Sequence, residues 1–324
     1  MSEPGGLTEM RRVFAETLVE LGREDPRIVV LDNDVDLTTQ SALFRQAFPE
    51  RFVEVGIAEK NLFGTAAGLA ASGFIPFPTT FASFVVRCAL DQVSVSIAQP
   101  ALNVKIPGHY IGGSKAGASH IAVEDLAVMR ALPNMRVADP ADEHDLRAVM
   151  RAALAVDGPV YFRVSKLALP QLFDRAHTFE WGHGVIIRGG VDVTLFGTGM
   201  MTHACIAAAD HLLLEGISAE VVHLASIKPI DRELIADSVT RTGCAVSAEN
   251  GTVLGGFGSA VAEAIVETRP VPLRRIGYQD EWAHSGTIRQ VFERYGLRAV
   301  DIVAAAQQVL AAKRGKPVVV QAVR

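Results

Sequence analysis

The sequence predicts an α/β protein built as two doubly wound domains with mainly parallel sheets. Short apolar strands alternate with helical patterns almost from end to end, which is the signature of a parallel sheet covered on both faces. The alternation lapses between Pro170 and Gly190 and then restarts. At 324 residues, the chain exceeds one typical core and suits two. The expected units are residues 1–170, a linker at 171–190, and a smaller domain at 191–324.

In the first unit Met10, Val13, Phe14, Thr17, Leu18 and Leu21 recur at helical spacing, with Thr8 as the expected cap. Ile28–Leu31 reads as a buried strand, 39–48 as helix and Phe52–Val55 as strand. A helix rich in small residues follows over 61–72, then strand Phe74–Phe77 and a helix from about Phe81 to Gln99. Leu102–Ile106 is the next strand, and 107–120 a glycine-rich loop. Helix 123–131, strand 135–138, helix 142–155 and strand 159–163 close the unit. The second unit reads as strand 191–196, helix 200–215, strand 219–224, helix 231–240 and strand 244–248. Helix 257–268, strand 273–276 and helices 287–295 and 299–312 complete it. The closing run from Lys313 to Val320 is assigned no element.

Composition narrows the function classes. Hydrophobic residues are 49% and charged residues 21%, as in a folded globular chain. The net charge of −5, with mixed signs throughout, lacks the basic stripe of a nucleic-acid binder. No apolar run reaches membrane-spanning length, and the first residues lack the regions of a signal peptide. Cys88, Cys205 and Cys244 form no CxxC pair, so a reducing cytoplasm is expected and no disulfide framework or zinc site.

Candidate chemistry gathers where strands meet helices. Gly56-Ile57-Ala58-Glu59-Lys60-Asn61 follows a strand and opens a helix, placing a carboxylate at the mouth of the sheet. A lone glutamate there is also a simple partner for the helix dipole. Phe81 and Phe84, three apart, share one face of a helix start, as core aromatics also do. The loop 107–120 contains His109, Tyr110, Lys115 and Gly117-Ala118-Ser119-His120, and its glycines let backbone approach a ligand closely. Arg163 and Lys166 end a strand, and Arg11, Ser41 and Arg87 are further polar candidates, the charged ones open to a salt-bridged reading. Gly255-Gly256-Phe257-Gly258-Ser259 opens a helix but lacks dinucleotide spacing and its acidic partner.

The phrase Gly56–Asn61, with Thr80-Phe81-Ala82-Ser83-Phe84 after it, resembles the pyrimidine-binding domain of the transketolase family. Ser247-Ala248-Glu249-Asn250, the glycine run after it and Ser285-Gly286-Thr287 resemble that family's C-terminal domain, which is mainly structural. The resemblance implies that Glu59 shares a proton with the aminopyrimidine of thiamine diphosphate. It also implies that Phe84 stacks on that ring, that Phe81 and Ile57 line the same pocket, and that His120 assists proton transfers on the sugar. By the same resemblance Arg87, His109, Lys166, Arg163 and Arg11 are substrate-binding candidates; a lysine at 166, where the family has arginine, keeps the charge but loses the bidentate fork.

Two departures stand out. Ordinary transketolases carry an aspartate four residues before the loop histidine and another histidine twelve before it. This chain has Ala116 and Gly108 there, with His109 adjacent. An unusual sugar is therefore expected, branched, deoxy or sulfonated, with Tyr110 and Lys115 as replacement contacts. The Gly-Asp-Gly motif that holds magnesium and the diphosphate in complete transketolases is also missing. The resemblance thus implies the small subunit of a split transketolase, with thiamine diphosphate and Mg2+ completed by a large N-terminal subunit in an α2β2 assembly. The β subunit of a 2-oxo-acid dehydrogenase, a deoxyxylulose-phosphate synthase relative and a non-catalytic scaffold are the alternatives.

Overall fold

The computed structural model describes residues 6–111 and 116–315; Lys115 and the run 316–320 lie outside the described residues. The chain opens with a two-residue strand β1 (Thr8–Glu9) and helix α1 (Met10–Glu24), so Thr8 is a strand residue and not the cap. β2 (Ile28–Asp32), α2 (Asp36–Thr39), α3 (Ala42–Ala47) and β3 (Phe52–Glu54) follow. Next come α4 (Glu59–Ala71), β4 (Ile75–Phe81), α5 (Ala82–Arg87) and β5 (Lys105–Ile111). The single helix expected from Phe81 to Gln99 is instead α5 and a separate π-helical segment, Gln92–Ala98. α6 (Asp125–Ala131), β6 (Arg136–Ala138), α7 (Glu143–Leu154), β7 (Val160–Ser165) and β8 (Ala168–Leu169) complete the first unit.

The second unit holds β9 (Val185–Arg188), β10 (Val193–Gly197), α8 (Met201–Leu214), β11 (Ala219–His223), β12 (Ser226–Lys228) and α9 (Arg232–Thr242). It ends with β13 (Ala245–Thr252), α10 (Phe257–Thr268), β14 (Leu273–Tyr278), α11 (Ile288–Arg294) and α12 (Ala299–Lys313).

The seven-stranded sheet runs β12-β6-β7-β5-β4-β2-β3 and the five-stranded sheet β14-β13-β10-β11-β9. All pairs in both are parallel except the edge pairs β12–β6 and β11–β9. Both exceptions lie in or after the expected linker. β9 is a strand inside it, and β12 leaves the second unit to extend the first unit's sheet.

Burial explains the layering. α1 turns Met10, Phe14, Leu18 and Leu21 inward, and α7 turns Leu146, Val149 and Met150 toward the same layer. α4 presents Leu62, Phe63, Ala66 and Ala67 to the opposite layer. The small residues at its exposed positions, Gly64 and Gly68, have no neighbour within 4 Å of a built Cβ. β2, β4 and β5 are buried nearly throughout, as central parallel strands must be. Their carboxyl ends, in the register Asp32–Thr79, Thr80–Gly108 and Phe81–His109, form the edge on which the candidate residues stand.

Candidate active site

β5 runs through Ile111, so Gly108, His109 and Tyr110 are strand residues rather than loop residues. That extension turns His109 and Tyr110 to opposite sides, because successive strand residues point opposite ways. Asn33, just past β2, donates to Glu59 Oε1 at 3.2 Å. Glu59 is the first residue of α4, half-buried, and Gly56 with φ +70° makes the turn that delivers it.

An aromatic group stands at the same strand ends. Phe81 stacks on Tyr110 at 4.6 Å between centroids and lies 5.3 Å from Phe84. The His120 ring meets Phe84 edge-on at 5.4 Å and Phe81 at 5.9 Å, and its Nδ1 is 2.8 Å from Ser119 Oγ. The structure therefore brings Phe81, Phe84 and His120 together and adds Tyr110 as a fourth ring. Lys166 caps that ring, its Nζ 3.8 Å from the Tyr110 centroid. Ile57 extends into solvent at 79% exposure.

Three buried polar atoms on the segments that carry these residues have no hydrogen-bond partner: Asn33 Oδ1, Thr80 Oγ1 and Ser83 Oγ. Such orphans are uncommon in a finished core and need an explanation. Sequence reasoning did not single out Asn33, Thr80 or Ser83 as site residues, because short polar side chains at strand ends also serve as turn formers.

A second group stands at the same edge. Asp32 is fully buried and accepts from Thr79 Oγ1 at 2.7 Å, Ser41 Oγ at 2.8 Å and the Val35 N–H at 2.7 Å. Burial raises its pKa despite those donors. Ser41 is thus committed to Asp32. His109 packs edge-on against Phe14 at 4.7 Å, and neither of its ring nitrogens has a partner. Burial, with the nearby Arg11 charge, pushes its pKa down to about 3, so the ring is neutral at physiological pH. Arg11 pairs with Glu9 and donates to the Thr38 carbonyl at 2.8 Å, while its Nε is buried and unpartnered.

Arg163 is occupied by buried carboxylates and an amide. Its side chain is fully buried between the two domains. It donates to Asp125 Oδ2 at 2.8 Å and Oδ1 at 2.6 Å, to Asn250 Oδ1 at 2.9 Å and to Asp139 Oδ2 at 3.3 Å. Burial disfavours its charge, but the two aspartates outweigh burial and raise its pKa. The Tyr161 hydroxyl also donates to Asp125, at 2.6 Å, and it occupies the space over Gly108. A Cβ at 108 would lie 2.1 Å from Tyr161 Oη, which explains why no side chain stands there. Arg87 is likewise engaged: it pairs with Glu124 and donates to the carbonyls of Ala118 and Ile121.

The residues at this edge fit the pyrimidine half of the cofactor that the sequence resemblance implies. A half-buried carboxyl, four aromatic rings and three orphaned polar atoms suit an aminopyrimidine. Among the described residues no group of three or more His, Cys, Asp or Glu could hold a metal ion.

A doubly wound pair of domains with this edge defines a class, and the comparisons agree with it. Residues 8–171 match the family model for the transketolase pyrimidine binding domain, and residues 182–302 match that for the transketolase C-terminal domain. The chain belongs to the transketolase family. It is 40% identical over 302 residues to the 6-deoxy-6-sulfo-D-fructose transketolase subunit of Clostridium sp. strain MSTE9, covering 93% of this chain and 94% of that one. It is 35% identical over 292 residues to a subunit of the apulose-4-phosphate transketolase of Phocaeicola vulgatus, covering 89% and 93%. A solved split-gene transketolase, described as an inactive β4 tetramer, superposes with a TM-score of 0.90 at 46% identity, covering 95% of this chain and all of that one. The chain is thus a transferase-family subunit, similar to the small subunits of split transketolases. No described helix is long and apolar enough to cross a membrane.

Proposed function

We propose that this chain is the small subunit of a thiamine diphosphate-dependent transketolase, catalytically competent only with a large subunit that holds the diphosphate and Mg2+. The observation that carries the proposal is that Glu59, held by Asn33, and the ring group Phe81, Phe84, Tyr110 and His120 both stand at the carboxyl-end edge of one parallel sheet. Thiamine diphosphate, when bound, supplies an electron sink for breaking and making the carbon–carbon bond beside a ketose carbonyl. Glu59 would hold a proton at its carboxyl oxygen against the aminopyrimidine, and Asn33 fixes which oxygen is offered. Phe81 and Phe84 would exclude water and grip the ring face. His120 would donate and accept protons at the sugar oxygens, its Nδ1 oriented by Ser119.

His109 and Arg11 form the natural donor subsite. The two unpartnered His109 nitrogens would read a sugar hydroxyl, and an anionic donor would compete with Glu9 for Arg11. Gly108 and Ala116, where ordinary transketolases place a histidine and an aspartate, point to a modified donor. The sulfonated and apulose-type sugars in the relatives' names are the first to try. The test is ketol transfer by the chain reconstituted with its large subunit, thiamine diphosphate and Mg2+, using such donors beside standard pentose phosphates. Turnover with a modified donor that Glu59→Gln abolishes supports the proposal. Full turnover in Glu59→Ala sinks it in favour of a scaffold role.

A further inference from the structure

The second domain contributes nothing to the proposed chemistry, yet one of its segments reaches the turn that carries His120. Between β14 and α11 the chain passes through Trp282 and Ser285. The Arg87 guanidinium carbon stands 5.0 Å from the centroid of the Trp282 ring. Ser285 abuts Gly117: a Cβ built at Gly117 would lie 2.5 Å from Ser285 Oγ, and Gly117 has φ +71° besides. Gly117 in turn builds the His120 turn, its carbonyl accepting the N–H of His120 and of Ile121, both at 3.1 Å. Arg87 spans the same turn from the other side, donating to the Ala118 carbonyl and, at 3.1 Å, to the Ile121 carbonyl. One contact from the second domain therefore meets this five-residue turn directly, and the other reaches it through Arg87.

The segment is anchored to do this. The Tyr295 hydroxyl donates to the Trp282 carbonyl at 2.8 Å and accepts the His284 N–H at 3.0 Å, and Tyr295 packs on Tyr278 at 4.4 Å between rings. Trp282 itself remains 62% exposed, so core packing does not account for an indole at this position. What it does touch is a cation whose charge is already balanced by Glu124 on its edge. An aromatic face over a guanidinium holds its plane without competing for its hydrogen-bond donors.

We propose that Trp282, supported by Ser285, is a positioning element of the active site. It fixes the plane of Arg87, Arg87 holds the Ala118–Ile121 turn, and the turn sets the His120 ring against Phe84 and Phe81. This rests on the transketolase reading above for its catalytic consequence, but the structural link is testable without turnover.

The experiment compares Trp282→Leu, which keeps apolar bulk and loses the ring face, with Trp282→Phe, which keeps a ring. Hydrogen–deuterium exchange of the full chain is followed over the peptide spanning 116–122. The amides of His120 and Ile121 are expected to exchange about fivefold or more faster in Trp282→Leu and as in the parent in Trp282→Phe. In the reconstituted complex, Trp282→Leu is expected to lower kcat about fivefold with KM for the donor within about twofold, and Trp282→Phe to restore it. Unchanged exchange in Trp282→Leu overturns the inference. So does a rise in KM alone, which would make Trp282 a substrate contact. An inactive parent complex would count against the transketolase reading, while the exchange comparison still decides this one.

Discussion

Replacing Arg163 by methionine separates a structural arginine from a substrate-binding one. In the structure its guanidinium satisfies Asp125 through two bonds and also reaches Asp139 and Asn250, with both members of the Asp125 pair fully buried. Among the described residues, Arg163→Met leaves the Asp125 side chain with the Tyr161 hydroxyl alone and strands Asp139, and Glu249 lies in the same buried group. Removing one partner of a buried ion pair costs about 3–5 kcal/mol. At about 2–3 °C per kcal/mol, the apparent Tm at pH 7.5 should fall by roughly 6–15 °C. Thermal melts and urea titrations of the isolated chain, followed by far-UV circular dichroism, read this directly. The loss should shrink toward pH 5, because Asp139, whose burial already pushes its pKa up to about 6, can then shed its charge. Adding Asp125→Asn to Arg163→Met should recover a substantial part of the loss, since the stranded charge is gone while Tyr161 keeps an acceptor. A loss below about 1 kcal/mol, together with a selective rise in KM for an anionic donor, would refute the reasoning and return Arg163 to the substrate.

Other perturbations follow from the same geometry. Glu59→Gln should lower kcat of the reconstituted complex by about 10²-fold or more while leaving Tm within about 2 °C; an unaltered kcat would contradict its role. Gly108→Ala should destabilise the chain by about 1–3 kcal/mol in a urea titration, because its Cβ would meet Tyr161 Oη at 2.1 Å; a neutral result would mean Tyr161 has room to move. Glu249 accepts the Phe257 and Gly258 N–H groups at the start of α10, yet burial pushes its pKa from 4.5 up to about 7. The folded chain thus holds a proton that the unfolded chain releases, so this contribution is complete below about pH 4.5 and is lost as pH rises toward 7. Melting curves of the parent and Glu249→Gln across that range should show the parent losing stability relative to the variant as pH rises; a constant difference would contradict it. Asp145 bridges His223 at 2.9 Å and His177 at 3.2 Å, and Asp145→Asn should cost about 2–3 kcal/mol by denaturant titration.

Much of the fold is legible in the sequence because its elements are locally specified. α10 occupies the residues that its apolar spacing and the preceding glycines indicate, Phe257–Thr268, and α8 and α12 differ from their expected ranges by single residues at their ends. Pro107, Gly108 and Tyr110 look like loop residues, so the sequence alone ends β5 too early. Only the neighbouring strands, and the Tyr161 side chain over Gly108, make that path a strand. β12 cannot be read as part of the first sheet, since its partner β6 lies about ninety residues earlier in another unit. The grouping of Phe81, Phe84 and His120 is visible as a motif, whereas Tyr110 joins it only because β5 extends that far. Arg163 reads as an anion ligand at a strand end; its burial depends on Asp125, Asp139 and Asn250, none of them local to it. Trp282 carries no signal at all, because its contact with Arg87 crosses the domain boundary.

Whether this chain supplies half of a thiamine diphosphate site is decided most directly by isothermal titration. Thiamine diphosphate with Mg2+ is titrated into the chain alone, and into the chain mixed with its large subunit. Saturable binding in the mixture, weakened by Phe84→Ala and absent from the chain alone, is the predicted result. Tight binding by the chain alone would mean that it holds the diphosphate itself, and a shared site would be ruled out.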